Sequence, residues 1–136
     1  MIRLAAETDL PHLVAGITAM RAATAWSQVE EEWTDDALWR VLERQLRSPN
    51  HVCYVWDSGD HACESFCGCK LTRFHLPPHM PVLYEWGLGG SKRGMAACWR
   101  ACKDWGRANG ARWACRGLAT SGTKHRVREI TTWEKL

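Results

Sequence analysis

The strongest constraint on this chain is a glycine-rich segment that lies between a strand pattern and a helical pattern. Residues 81–88 alternate as a half-buried strand does, and glycines at positions 87, 89, 90 and 94 then surround a turn. A helical stripe follows, made of Met95, Cys98, Trp99, Cys102 and Trp105. Small residues let a ligand approach the backbone, and free N–H groups at a helix N-terminus attract phosphate. The segment therefore predicts a strand–turn–helix unit with an anion site at its turn.

Periodicity in the rest of the chain predicts the order β–α–α–β–β–β–α–β, followed by a tail. Capping side chains support two helix starts, with Thr8 and Asp9 at the first helix and Thr34 at the second. The predicted strands are residues 2–4, 51–56, 61–74, 81–88 and 112–118, and the predicted helices run from 8 to about 24, from 34 to 48, and from the glycine turn to 109. A chain of 136 residues suits one domain (1–136), here of α/β or α+β class with helices packed on both faces of a mixed central sheet.

Charge is distributed unevenly along the chain. Residues 1–90 hold seven Lys/Arg and twelve Asp/Glu, whereas residues 91–136 hold eleven and three. A basic second half suits phosphates, nucleic acid or an acidic partner, and a solvated basic face gives the same pattern. No apolar run approaches the roughly 20 residues that a membrane span needs, and the N-terminus lacks the apolar core of a signal peptide. We therefore expect a cytoplasmic protein without a membrane partner.

Seven cysteines without regular spacing do not suggest a disulfide framework. The spacing Cys63-x3-Cys67-x-Cys69, with three histidines nearby, raises a zinc hypothesis. These cysteines share one parity of a predicted strand, however, so they are expected side by side on one sheet face rather than on turns. Cys98 and Cys102 lie one helical turn apart on an apolar face. We expect buried, reduced thiols and no metal site.

The element order and the glycine turn resemble the GNAT acetyltransferase superfamily over roughly residues 2–118. In that family the turn carries Gln/Arg-x-x-Gly-x-Gly/Ala and binds the pyrophosphate of acetyl-CoA. The corresponding stretch here is Ser91-Lys92-Arg93-Gly94-Met95-Ala96, in which Gly94 and Ala96 match and Ser91 replaces the leading Gln/Arg. The following Trp-Gly-Arg-Ala-Asn-Gly-Ala-Arg at residues 105–112 is similar to helix endings that are frequent in the superfamily.

The resemblance implies an acetyl-CoA cofactor and names the residues that would hold it. It implies that Ser91, Lys92, Arg93, Gly94, Met95 and Ala96 bind the pyrophosphate, and that backbone groups of Leu88, Gly89 and Gly90 align the thioester. It also implies that Glu85 acts as the base, because family members often place a Glu on this strand. Tyr84 and Trp86 beside Glu85 are expected to raise its pKa by desolvation.

Two features depart from the family pattern. Many members protonate the leaving thiolate with a Tyr after the helix, but no Tyr follows Tyr84 here, and His125 is the available substitute. Members usually continue with a helix and two strands, whereas only 18 residues follow Leu118. We expect residues 122–130 to form a remnant of that helix or one short strand ending at Trp133, which leaves the C-terminal part truncated.

These observations lead to two functional hypotheses. In the first, the chain is a protein-interaction component on a GNAT scaffold with a degenerate cofactor site. It then resembles small phage-encoded acetyltransferase-like and internal virion proteins, located in host cytoplasm or virion, with a protein partner or a second copy covering an open sheet edge. In the second, it is an active N-acetyltransferase that acts on an amine. Nucleic-acid binding through the basic half is a third, less favoured alternative.

Overall fold

The computed structural model describes residues 1–23, 34–59, 63–73, 81–123 and 126–136, with side chains for the same residues except 118–130. Its elements are strand β1 (Ile2–Leu4), a short 3-10 helix (Glu7–Asp9), helices α1 (Leu10–Ala23) and α2 (Asp35–Leu46), strands β2 (His51–Asp57), β3 (Cys63–Arg73) and β4 (Pro81–Gly90), helix α3 (Lys92–Ala108), and strands β5 (Trp113–Thr123) and β6 (Arg126–Lys135). This confirms the predicted order and the mixed α/β class.

One sheet holds the six described strands in the sequential order β1 to β6. All neighbours are antiparallel except β4 and β5, which α3 connects as a parallel crossover pair. The parallel pairing joins only Val82–Tyr84 to residues 113–115. Beyond Tyr84 and Cys115 the two strands are not paired with each other, so a fork opens between β4 and β5.

The two faces of the sheet carry separate cores. Helices α1 and α2 cover one face, where the buried residues are Leu10, Leu13, Val14, Ile17, Leu42, Cys53, Val55 and Phe66. Helix α3 covers the other face, where they are Val52, Cys67, Cys69, Leu83, Cys98, Trp99, Cys102, Ala111 and Ala114. Helices on both faces are therefore confirmed, and α3 is fixed against the strands that lead into the fork.

The predicted cap of the second helix, Thr34, is confirmed, whereas the predicted cap of the first helix at Thr8 and Asp9 is wrong. The Thr34 hydroxyl accepts the Ala37 N–H at 3.1 Å, as expected for an N-cap. Asp9 instead lies in the 3-10 turn before α1, where its carboxylate accepts the Ala6 N–H and the Arg3 guanidinium. Asp9 therefore bonds the amide at the start of the 3-10 turn rather than one in the first turn of α1, and it is buried in its pair with Arg3.

The tail forms a strand, one of the two predicted alternatives. β6 runs antiparallel to β5: Lys135 is paired with Trp113 at one end, and Arg126 with Thr123 at the other. The register shifts between Ala119 and Ser121. The Lys103 ammonium also bonds the Glu134 carboxylate at 2.7 Å and so ties β6 to α3. The strand is longer than expected, and it covers the edge of β5.

Six of the seven cysteines are buried as predicted, and Cys63, which is only partly buried, also differs in its placement. Cys67 and Cys69 lie on the α3 face of β3 and are fully buried. Cys63 does not join them, because a register shift between Trp56 and Asp57 pairs it with Asp57 on the opposite face. Burial raises the pKa of the Cys63 thiol to about 11. The expectation that all three thiols share a face is therefore wrong for Cys63.

No helix in the described ranges is long and apolar enough to cross a membrane.

Candidate functional site

The turn from β4 into α3 consists of a single residue, Ser91, and β3 holds it in place. The Ser91 N–H donates to the Ser65 hydroxyl at 2.9 Å, and the two hydroxyls lie 3.3 Å apart. The Ser91 hydroxyl in turn accepts the Gly94 N–H at 3.2 Å and so caps α3. A Cβ on Gly94 would overlap the Ser65 side chain, and Gly90 has a φ of +107°. The glycines therefore let the helix start lie directly on β3.

The N-terminus of α3 keeps fewer amides for an anion than expected. The N–H groups of Ser91 and Gly94 are used in the turn, and Met95 N–H donates to the Ser91 carbonyl. The N–H groups of Lys92 and Arg93 have no hydrogen-bond partner among the described residues. An anion at this helix N-terminus would therefore meet two amides, and the helix dipole would favour its charge there; the site itself stays a prediction.

An open cavity of about 490 Å³ lies beside this helix start, at the mouth of the fork. Its lining combines an apolar wall with three cationic side chains and contains no acidic residue: Leu88, Lys92, Met95, Ala96, Trp99, Arg100 and Arg116. The volume is within the usual range for small-molecule sites. This composition suits an elongated ligand with anionic groups at one end and an apolar portion.

Arg116 is the cavity-lining residue that has a hydrogen-bond donor without an acceptor among the described residues. It is the first residue of β5 beyond the last pair with β4, and its guanidinium lies over the Trp99 ring at 5.1 Å. Its Nε is buried and has no hydrogen-bond partner among the described residues. The charge of its guanidinium still acts on the cavity, because Arg116 is one of the lining residues.

Glu85 occupies the matching position on β4, directly after Tyr84. It is half-buried and pairs in register with Cys69, so both residues lie on the α3 face of the sheet. Glu85 and Arg116 thus begin the two arms of the fork on the same face. Glu85 therefore lies at the start of the fork but is not among the residues that line the cavity, and its role as the base stays a prediction.

The predicted neighbours of Glu85 lie elsewhere. Tyr84 pairs with Lys70, whose ammonium lies 5.3 Å from its ring, and is therefore on the opposite face from Glu85. Trp86 is the extra residue of a bulge in β4 and packs on Gly68 and the α1–α2 core. Strand alternation and the bulge direct both rings away, so neither supplies the expected desolvation of Glu85.

The sequence predicts Ser91 to Ala96 and Glu85 as site residues, but it does not predict three further residues of the turn and the cavity, which are Ser65, Arg100 and Arg116. Ser65 and Arg116 come from other strands, and only the register of the sheet brings them here. Arg100 had a visible signal, because Lys92, Ala96 and Arg100 recur at intervals of four along one helical face. His125, the predicted acid, lies outside the described residues.

Comparison with known proteins gives fold similarity alone. No family model matches the chain, and no curated protein matches it either. Among solved structures, it is similar to a ribosomal-protein-alanine N-acetyltransferase from Brucella melitensis (TM-score 0.77, 14% identity, covering 100% of this chain and 99% of that one). It is also similar to a predicted acetyltransferase with acetyl-CoA from Clostridium acetobutylicum (TM-score 0.69, 11% identity, 85% and 79%).

A third similar structure is an aminoglycoside 6'-N-acetyltransferase from Acinetobacter baumannii (TM-score 0.61, 10% identity, 93% of this chain and 78% of that one). These structure neighbours are GNAT acetyltransferases, so the chain has the GNAT fold that its sequence resembles. The resemblance to phage-encoded proteins stays a prediction.

Proposed function

We propose that this protein is an acetyl-CoA-dependent N-acetyltransferase whose cofactor occupies the cavity at the β4–β5 fork. The observation that carries the proposal is the cavity lining: three cationic side chains and no acid, beside two free amides at the start of α3. Coenzyme A carries a pyrophosphate, a further phosphate and a long, less polar arm. The residues present therefore fit such a group.

The cofactor contacts follow from the geometry of the turn. The Lys92 and Arg93 amides and the Lys92 ammonium would hold the pyrophosphate, with Arg100 and Arg116 neutralising the remaining charge. β4 is paired with β3 through Gly90, but its other edge is not paired with β5 after Tyr84. Backbone groups of residues 85–90 on that edge, including Leu88, Gly89 and Gly90, are positioned to bind the amides of the arm.

Glu85 would remove the proton from the acceptor amine. Bound acetyl-CoA would supply an acetyl thioester as the electrophile. During transfer of the acetyl group to an amine, the Glu85 carboxylate would accept the amine proton, directly or through water. A thiol has a pKa near 8.5, so its thiolate is a good leaving group even before it is protonated, unlike an alkoxide. The reaction can therefore tolerate the lack of the Tyr that usually protonates the thiolate. His125 remains the predicted proton donor to that thiolate.

Thermal stability in the presence of acetyl-CoA tests this function directly. At 100 times its dissociation constant, a ligand that binds only the folded state adds about 2.7 kcal/mol. We expect a clear rise in Tm for the intact chain, and a smaller rise for Arg100→Met. An Arg44→Met variant, which changes an exposed arginine on α2, is the matched control and should respond as the unaltered protein does. No rise at millimolar acetyl-CoA would contradict the proposal.

A protein-interaction role is the second candidate, and exposed aromatic residues favour it. Trp39 and Val41 on α2 are 38% and 44% exposed, and Trp133 on β6 is 47% exposed. Tryptophan is enriched in interfaces. The role of a virion or assembly component stays a prediction within this candidate. Light scattering would test it: a homo-oligomer that Trp39→Ser dissociates supports it, and a monomer that captures no partner opposes it.

The expected cytoplasmic location also stays a prediction. All seven cysteines are free thiols in the structure, which suits a reducing compartment. The net charge of +3 leaves nucleic-acid binding as the less favoured alternative.

A further inference from the structure

Three thiols meet inside the α3 core, away from the turn. Cys67 and Cys69 project from β3, and Cys102 reaches them from α3. All three side chains are fully buried. Their Sγ atoms lie within 4.8 Å of one another, and the Cys67 and Cys69 sulfurs are 3.9 Å apart. The sequence pattern suggested Cys63 as the third member of such a group, but the fold supplies Cys102 instead.

The spacing of the sulfurs matches a three-coordinate site. A metal–sulfur bond is about 2.3 Å long, so three sulfurs around one ion lie about 4 Å apart in a planar site and somewhat closer in the pyramidal site of a centre with a lone pair. The cluster therefore needs only small side-chain movements to bind one ion through all three thiols. No further Cys, His, Asp or Glu in the described ranges joins this group, so a tetrahedral zinc site would lack its fourth protein ligand.

Charge decides which thiophilic ion suits the cluster. Most residues packed around the cluster are apolar, among them Val52, Leu83, Trp99, Ala111 and Ala114, and the Glu85 carboxylate lies opposite Cys69 on the neighbouring strand. Three thiolates around a monovalent or divalent ion leave a net negative charge, which is expensive to bury in such surroundings. Three thiolates around a trivalent centre form a neutral complex. A trivalent ion is therefore the one that this core accepts at least cost.

We propose that Cys67, Cys69 and Cys102 form a site that binds a trivalent thiophilic metalloid, the class of arsenite. Arsenous acid is neutral near pH 7 and condenses with three thiols. Three arsenic–sulfur bonds form and three arsenic–oxygen bonds break. Each departing hydroxyl takes one thiol proton and leaves as water, so no electron is transferred and no charge is created in the core. The site joins β3 to α3.

Arsenite itself is the probe in the test. Native mass spectrometry of the folded, reduced chain should show one adduct whose mass is that of arsenic less three hydrogens. X-ray absorption at the arsenic edge should show three sulfur neighbours. Cys102→Ser, which is nearly isosteric, and Cys102→Ala should both bind at least 100-fold more weakly. Cys53→Ala removes an equally buried thiol on the opposite face and should bind as the unaltered chain does.

Three results would overturn the assignment. The first is no adduct on the folded, unaltered chain. The second is an arsenic centre with two sulfur neighbours or fewer. The third is equal affinity in the Cys102 and Cys53 variants, which would show that arsenite binds thiols without regard to the cluster.

Discussion

The Ser65 hydroxyl accepts the Ser91 backbone N–H at 2.9 Å, so strand β3 holds the turn from which α3 begins. Ser65 is almost completely buried, and its removal leaves that amide without a partner. We expect Ser65→Ala to lower the free energy of unfolding by about 1–3 kcal/mol. Urea unfolding measures this. Ser48→Ala, which removes only a 3.4 Å contact at an exposed turn, should change it by less than about 0.5 kcal/mol. Equal losses in the two variants would contradict the role given to Ser65.

Removing the Arg116 cation should weaken cofactor binding. Arg116 lines the cavity, and Arg116→Met keeps the packing on Trp99 while it removes the charge. We expect the Kd for acetyl-CoA to rise about tenfold, which is about 1.4 kcal/mol. Titration calorimetry at two salt concentrations measures this, and the difference from the unaltered chain should shrink at high salt. An unchanged Kd would mean that Arg116 does not face the cofactor.

Removing the charge of Glu85 should lower the turnover rate without weakening the binding of acetyl-CoA. The carboxylate lies at the start of the fork, where it would accept the proton of the amine. Glu85→Gln should lower kcat about 100-fold or more, with the Kd for acetyl-CoA nearly unchanged. Turnover with a panel of primary amines and calorimetric titration give the two quantities. Glu64→Gln, which alters an exposed carboxylate on β3, is the control, and unchanged turnover of Glu85→Gln would exclude Glu85 as the base.

The Arg3–Asp9 pair should make stability depend on acidic pH. The Arg3 guanidinium bonds Asp9 at 2.7 Å and Asp57 at 3.1 Å, and it lowers the pKa of the Asp9 carboxyl below its ordinary value. A carboxyl whose pKa is lower when folded stabilises the protein above the unfolded pKa, near 3.9. That stability is lost as the pH falls from about 4 through the folded pKa.

Asp9→Asn should therefore cost about 2 kcal/mol at pH 7, because Arg3 is 29% exposed and solvent screens part of the pair. Its stability should also fall less between pH 5 and pH 2 than that of the unaltered chain. Urea unfolding across this range checks both expectations. Asp36→Asn at an exposed position should keep the original pH dependence, and the same slope in Asp9→Asn would argue against the pair.

The sequence predicts local features of this fold well because their causes are local. Thr34 caps its helix through a bond to Ala37, three residues away, and the glycines before α3 mark a turn that their own backbone requires. Asp9 was misassigned because its partner Arg3 lies on a separate strand. Cys63 was placed on the wrong face because a single shift in register reverses the direction of a side chain.

Only part of the candidate site could be predicted from the sequence, for the same reason. Glu85 and the helix start come from one continuous segment. Ser65 and Arg116 reach the fork through strand pairing between distant parts of the chain, which no local pattern encodes.

The short pairing between β4 and β5 has a mechanical consequence. Three residue pairs join β5 to β4 in the described part of the chain, so few backbone hydrogen bonds hold the two strands of the fork together. A ligand that contacts both β4 and β5 would stabilise their pairing. The amide hydrogens of residues 82–84 and 113–115 would then exchange with solvent more slowly.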